Sequence, residues 1–392
     1  MPTVAIVQRK TPLSFGLGPS DGSFERRSSS MVSSEDRLGR LWSGWNISKA
    51  SPYAFPLDLG RDPALDLVKG LLVLGMIAYH AGVSFIPNTH IRFLVLHDLL
   101  DFVSGSWVFV CGLIVTTHYR LRFQVDARNV SRRLWIRAAK MILLFCALNI
   151  FVVLLGIRQA SQLFDGVTMA KILLYGDGAL TSFGILLGIG YVLFIGPFFL
   201  YLKNTGRVLA LLIIAFAAYL AWSGHVVPGN LWIILCGLAG MVVGVTVWPL
   251  FVWEIRPSSS RRWFTVGGAL SAAAAYFLIS IGLDIHRDNL PVYLWGVASI
   301  IAVFYLSYGW FSSIPTISDW LQLLGRYSLV SYLSQMTIFR LALGAQSHFG
   351  VALSYWLTLL AVLFMVSLMV FMLDKEIRES KTFQKSYRLV FG

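Results

Sequence analysis

The densest concentration of reactive side chains in the sequence lies in a single apolar run, DLVKGLLVLGMIAYH, which holds Asp66, Lys69 and His80. Ionisable groups in hydrocarbon are costly, so each one needs a physical reason to be there. Lys69 and His80 are eleven positions apart, about three helical turns. A helix would therefore carry both on nearly one face, separated by roughly 16 Å along its axis. A cation at the mouth of such a helix and an imidazole deeper inside suit an anionic co-substrate and a proton transfer. The competing reading makes Lys69 an anchor whose ammonium snorkels to the interface, and His80 a hydrogen-bonded packing residue.

Three further groups of residues bear on this chemistry. Asp98 and Asp101 are three positions apart and so share a helix face. Asp101 either orients the His80 imidazole and raises its basicity, or both aspartates stabilise a helix N-terminus. Arg133, Arg137 and Lys140, in SRRLWIRAAK, recur at helical spacing and build a basic stripe. Arg132 and Arg133 alone would be ordinary interfacial residues. Arg137 and Lys140 reach into apolar sequence and call for an anionic partner, such as the phosphates of an acyl-CoA or a lipid headgroup. Arg340 falls at a depth similar to His80 and Asp101. The other histidines show no metal-ligand spacing, and Cys111, Cys146 and Cys236 are too scattered for a disulfide framework or a metal site.

The elements that must position these residues follow from composition. Of 392 residues 57% are hydrophobic and only 13% charged. Mean hydropathy is +0.71. That much apolar surface exceeds what a soluble globule buries, so the surplus faces lipid. Apolar segments recur at 67–87, 95–117, 134–157, 180–201, 207–223, 229–250, 264–283, 291–312, 323–346 and 351–373. The expected fold is an all-α, polytopic membrane bundle of about ten transmembrane helices. The piece at 163–175 is short and interrupted by Asp165 and Lys171, as an interfacial or re-entrant segment would be. Residues 1–61, with SSS at 28–30, read as a disordered tail, and 374–392 as a basic C-terminal tail.

With both termini cytoplasmic, one side collects the basic tails together with Arg120, Arg122, Arg128, Arg132, Arg133, Lys203, Arg207, Arg256, Arg261 and Arg262. The other side receives only Arg92, Arg158, Lys171 and Arg287. This asymmetry obeys the positive-inside rule for an even number of crossings. The formal net charge of +13 therefore reflects topology rather than nucleic-acid binding. Small-residue sets, Gly184, Gly188 and Gly190 or Gly237, Gly240 and Gly244, suit close helix approach in lipid.

The chain resembles the acyltransferase-3 superfamily of membrane acyltransferases, and within it the branch of OpgC-type glucan succinyltransferases. The resemblance rests on several motifs in order over about 62–373. Asp66-x-x-Lys69-Gly70 followed by His80 is similar to a D-x-x-R-G…H pattern. LLDFVSGSWVFVCGLIV, RRLWIRAAKMILLF and TSFGILLGIGYVLF resemble later conserved helices, and LGRYSLVSYLSQ a late L-G-R-x-S-L signature. The sequence departs from the pattern at Lys69 and Lys140, which replace arginines. It departs again at Cys111, where Ser is common, and at Gln335, where relatives often carry His.

What the resemblance implies is acyl transfer from acyl-CoA, acetyl or succinyl, to a hydroxyl of a glycan or other envelope acceptor, in an inner-membrane protein that also has the option of forming homo-oligomers. Catalysis falls to His80 with Asp101, donor binding to Lys69, Arg133, Arg137 and Lys140, and acceptor binding to Asp98, Arg340 and Gln335, with no metal. A rival expectation is a transporter or flippase whose substrate path the same charges line, although no internal repeat of the transporter kind is evident. A scaffold derived from the same family is a third.

Overall fold

Asp62 and Pro63 start the first helix for clear chemical reasons. The Asp62 carboxylate accepts from the backbone N–H groups of Ala64 (2.9 Å) and Leu65 (3.3 Å), and Pro63 occupies the first turn, where no N–H is needed. The structure is a computed structural model describing residues 62–86, 97, 99–154, 171, 183–223, 229–248, 261–282, 289–350 and 354–391. Asp98, the expected tail 1–61 and all of 163–175 except Lys171 lie outside the described residues. The described residues belong to one unit, Leu59–Gly392.

Among the described residues eleven helices follow in order: α1 Pro63–Phe85, α2 Phe102–Val125, α3 Ala127–Leu154, α4 Gly184–Trp222, α5 Gly229–Thr246, α6 Arg261–Gly282, α7 Leu290–Phe311, α8 Pro315–Arg326, α9 Ser328–Phe349, α10 Tyr355–Glu379 and α11 Lys381–Phe391. No strand occurs among the described residues. Seven of the helices, α1, α2, α3, α4, α6, α7 and α10, are long and apolar enough to cross a membrane. The protein is thus an all-helical, multi-pass membrane bundle. In α10 one stripe, Val362, Val366 and Val370, is fully buried, while Leu360, Phe364 and Phe371 stand out from the bundle at 60–67% exposure. A helix apolar on every side has no reason to present such groups to water.

Several boundaries depart from the sequence reading. α2 begins at Phe102 rather than 95 and continues to Val125, and α3 begins at Ala127 rather than 134. Polar, basic turns extend both helices beyond their apolar windows. Asp126 separates them. Its carboxylate accepts from the Asn129 backbone N–H (3.1 Å) and side-chain amide (2.5 Å), which hold it below the usual carboxylate range. The segments expected at 180–201 and 207–223 form α4, 39 residues broken at Lys203 (φ 51°, ψ −118°) into two limbs. The supposed basic tail is helical: Asp374–Glu379 completes α10 and α11 follows, with the Tyr387 ring 5.7 Å from that of Tyr327.

Lipid supplies no hydrophobic drive for helices to associate, so close packing must do so. α2 and α5 approach until backbone meets backbone. A Cβ on Gly112 would strike the Gly237 carbonyl, and one on Gly240 the Phe109 carbonyl. The Gly237, Gly240 and Gly244 set therefore serves close approach, whereas Gly184 has no atom within 4 Å of an added Cβ. A second crossing joins α1 to α8. A Cβ on Gly70 would meet the Leu321 carbonyl, and one on Gly325 the Asp66 carbonyl. The Asp66-x-x-Lys69-Gly70 and Leu324-Gly325-Arg326 motifs are two sides of one contact. Beside it Tyr327 donates to Asp374 (2.8 Å), which also pairs with Arg378 (2.6 Å) and Arg326 (3.7 Å).

Candidate functional site

His80 lies in the last two turns of α1, and its ring borders a cavity of about 760 Å³. The cavity wall is drawn from the C-terminal part of α1, the N-terminal turns of α2, α4, α5 and α7, Phe145 of α3, and Tyr332 to Leu343 of α9. Those ends accordingly lie together at one end of the bundle. The imidazole is half-buried, with the Tyr79 ring edge-on at 5.5 Å and the Phe339 ring of α9 at 6.3 Å. Aromatic walls exclude water from its sides and leave the cavity as its polar outlet.

Arg340 lines the same cavity, within electrostatic reach of His80. An imidazole and a guanidinium from helices far apart in sequence thus converge on one space. The remaining polar lining includes Asn230 (3% exposed), Ser104, Tyr293 and Tyr332. Sequence reasoning missed these four. Asn230 alone carried a signal, as an amide at the edge of an apolar segment.

Asp101 does not take the place expected for it. Its side chain is buried but is neither in the cavity wall nor a cap for α2, and the charged group that acts on the imidazole is Arg340 instead. The reason lies in Tyr293 of α7. Its hydroxyl donates to the Asp101 backbone carbonyl (3.2 Å) and accepts from the Gly105 N–H (3.2 Å). It occupies the first hydrogen-bonded turn of α2, where residue 105 would otherwise pair with residue 101. Gly105 permits this, since a Cβ there would lie 2.6 Å from the Tyr293 hydroxyl. Gly105→Ala is expected to push Tyr293 from its seat and reshape the cavity wall. The measurable result is a midpoint of thermal unfolding lower by about 2–6 °C, with overpacking costing roughly 1–3 kcal/mol. An unchanged midpoint would show that the wedge bears no load.

The basic residues lie outside the cavity wall. Lys69 pairs with Asp66 one turn away (2.5 Å), and neither lines the cavity. Arg137 donates to the Tyr119 hydroxyl on α2, with its guanidinium 5.8 Å from that ring's centroid. Arg132 and Arg133 are exposed, and Lys140 is half-buried. Arg133, Arg137 and Lys140 are therefore not part of the wall that His80 borders, although Phe145, farther along α3, is. Gln335 is fully buried, and neither of its amide atoms has a hydrogen-bond partner among the described residues. It lies beside the cavity-lining Met336 without itself lining the cavity. Among the described residues no group of three or more His, Cys, Asp or Glu is placed to hold a metal ion.

The cavity can bind a neutral or anionic group at Arg340 and accept a proton at His80. No family model, curated protein or solved structure matches this chain.

Proposed function

We propose that this chain is a membrane O-acyltransferase that moves an acyl group, acetyl or succinyl, from cytoplasmic acyl-CoA to a hydroxyl of a glycan or another cell-envelope acceptor. The observation that carries the reading is the convergence of His80 and Arg340 on one 760 Å³ cavity inside an apolar bundle. The acceptor hydroxyl gives its proton to His80 while its oxygen attacks the thioester carbonyl carbon. The tetrahedral oxyanion collapses, the C–S bond breaks, and the departing thiolate takes the proton back from the imidazolium. Arg340 binds the acceptor or stabilises the oxyanion, the role that prearranged donors fill in acyl transfer.

The donor's phosphates belong, in this reading, at the Lys69, Arg133, Arg137 and Lys140 end. Roughly 16 Å of α1 then separates them from His80, a span suited to the extended pantetheine arm. The same proposal puts ten crossings in the inner membrane with both termini in the cytoplasm. α4 then counts as two crossings turning at Lys203, and α5 and α9 cross as well. The distribution of Lys and Arg supports that count.

CoA binding tests the donor end directly. CoA added to the purified protein in neutral detergent is expected to raise its unfolding midpoint, because a ligand specific for the folded state stabilises it. Arg137→Ala is expected to lose most of that gain. No shift in the wild type, alongside uptake of a solute by proteoliposomes, would favour the transporter reading.

A further inference from the structure

Arg120 and Arg207 carry a second inference. Arg120 lies five residues before the end of α2, and Arg207 lies in the first turns of the second limb of α4. The turn at Lys203 brings the two helix segments together. Tyr119 and Phe123 of α2 share one apolar cluster with Phe199 and Ala210 of α4. The two arginines flank that cluster, both half-buried, and each lies within electrostatic reach of the other. Neither makes an ion pair or hydrogen bond among the described residues. Asp126, the acid nearest to Arg120 in the chain, is engaged by Asn129.

Two like charges held together in a partly desolvated place repel, and the arrangement is stable when an anion lies between them. The surroundings indicate which anion. This is the end of the bundle opposite the cavity, where α2 terminates and α4 turns. Directly beyond Arg207, Val208, Leu211 and Leu212 project outward at 51–60% exposure. A phosphate attached to acyl chains satisfies both the guanidinium pair and that apolar flank, whereas a free phosphate satisfies only the pair. Arg137, on α3, is already engaged by the Tyr119 hydroxyl of α2, unlike Arg120 and Arg207.

We propose that Arg120 and Arg207 form a headgroup site for an anionic phospholipid, with its chains laid along the second limb of α4. Basic sites between transmembrane helices at an interface bind such headgroups through paired guanidinium contacts. The lipid fastens the second limb of α4 to α2 and so supports the turn at Lys203.

The test uses the full chain in neutral detergent, with phosphatidylglycerol or phosphatidylcholine added at equal concentration. Phosphatidylglycerol is expected to raise the unfolding midpoint by roughly 3 °C over phosphatidylcholine. That gain is expected to vanish in Arg120→Gln/Arg207→Gln and to persist in Arg137→Gln. Equal effects of the two lipids, or a gain that survives the double substitution, would overturn the site. So would an equal gain from inorganic phosphate without lipid that is likewise lost in Arg120→Gln/Arg207→Gln. If the double variant does not accumulate, Arg207→Gln is read by native mass spectrometry. Fewer bound phosphatidylglycerol molecules than in the wild type support the proposal, and an equal number refutes it.

Discussion

His80→Ala, present in membranes at the wild-type level, is expected to incorporate label from radioactive acetyl-CoA or succinyl-CoA into the envelope fraction about 10²–10⁴-fold more slowly. The size follows from the role. Without a base at the cavity wall, the acceptor must lose its proton to a site lined largely by aromatic and aliphatic side chains. His80→Gln separates catalysis from packing, since its amide fills similar space and forms hydrogen bonds but does not shuttle a proton near neutral pH. Equal loss in both variants fits a proton-transfer role. Activity retained by the glutamine variant would reduce His80 to a polar packing residue. Arg340→Ala is the companion measurement, because its effect should track the identity of the acceptor.

The second large effect is structural. Gly325→Ala and Gly70→Ala are each expected to cut the yield of folded, monodisperse protein severely. Overpacking commonly costs about 1–3 kcal/mol, and here the obstruction is main-chain atoms that no rotamer change can move aside. A cost of that order is a large share of the roughly 5–15 kcal/mol that typically separates folded from unfolded chains. Gly267→Ala is the control, because an added Cβ there meets nothing within 4 Å. Size-exclusion profiles of the three proteins decide the matter: wild-type behaviour in Gly325→Ala would mean that α1 and α8 can part at little cost.

What was legible in the sequence was whatever depends on local pattern. Hydropathy located the apolar segments; that His80 and Arg340 line one cavity was visible only in the structure. Chemistry that depends on partners distant in sequence was hidden. Asp101 looked like an orienting acid, but the hydroxyl of Tyr293, 192 residues away, engages its carbonyl, and no periodicity reports such a contact. Lys69 looked like a cation awaiting an anion, and Asp66, one turn away, already pairs with it. α8 went unread as a helix of its own: only its last four residues fell in the expected segment 323–346, because Asp319 and Gln322 lower the hydropathy of the turns that start at Pro315. α11 was read as a tail for the same reason: an amphipathic helix scores as polar when only average hydropathy is weighed.

The motif resemblance also changes meaning in three dimensions. Gly70 and Gly325 stood in separate signatures, one near the start of the bundle and one near its end. Their meeting assigns at least part of each signature to assembly rather than to chemistry. Other members, His80, Gly105, Phe145, Gly184 and Tyr332 among them, do reach the cavity.

The turn at Lys203 bears on how the protein is made. The limbs of α4 are joined at a single non-helical residue, so no stretch of chain lies between them to act as a loop. In the proposed ten-crossing topology the two limbs would enter the bilayer as one hairpin, with their charged elbow on the cytoplasmic side. Biogenesis would then treat residues 184–222 as one unit of insertion, with the elbow as the last place to tolerate added sequence.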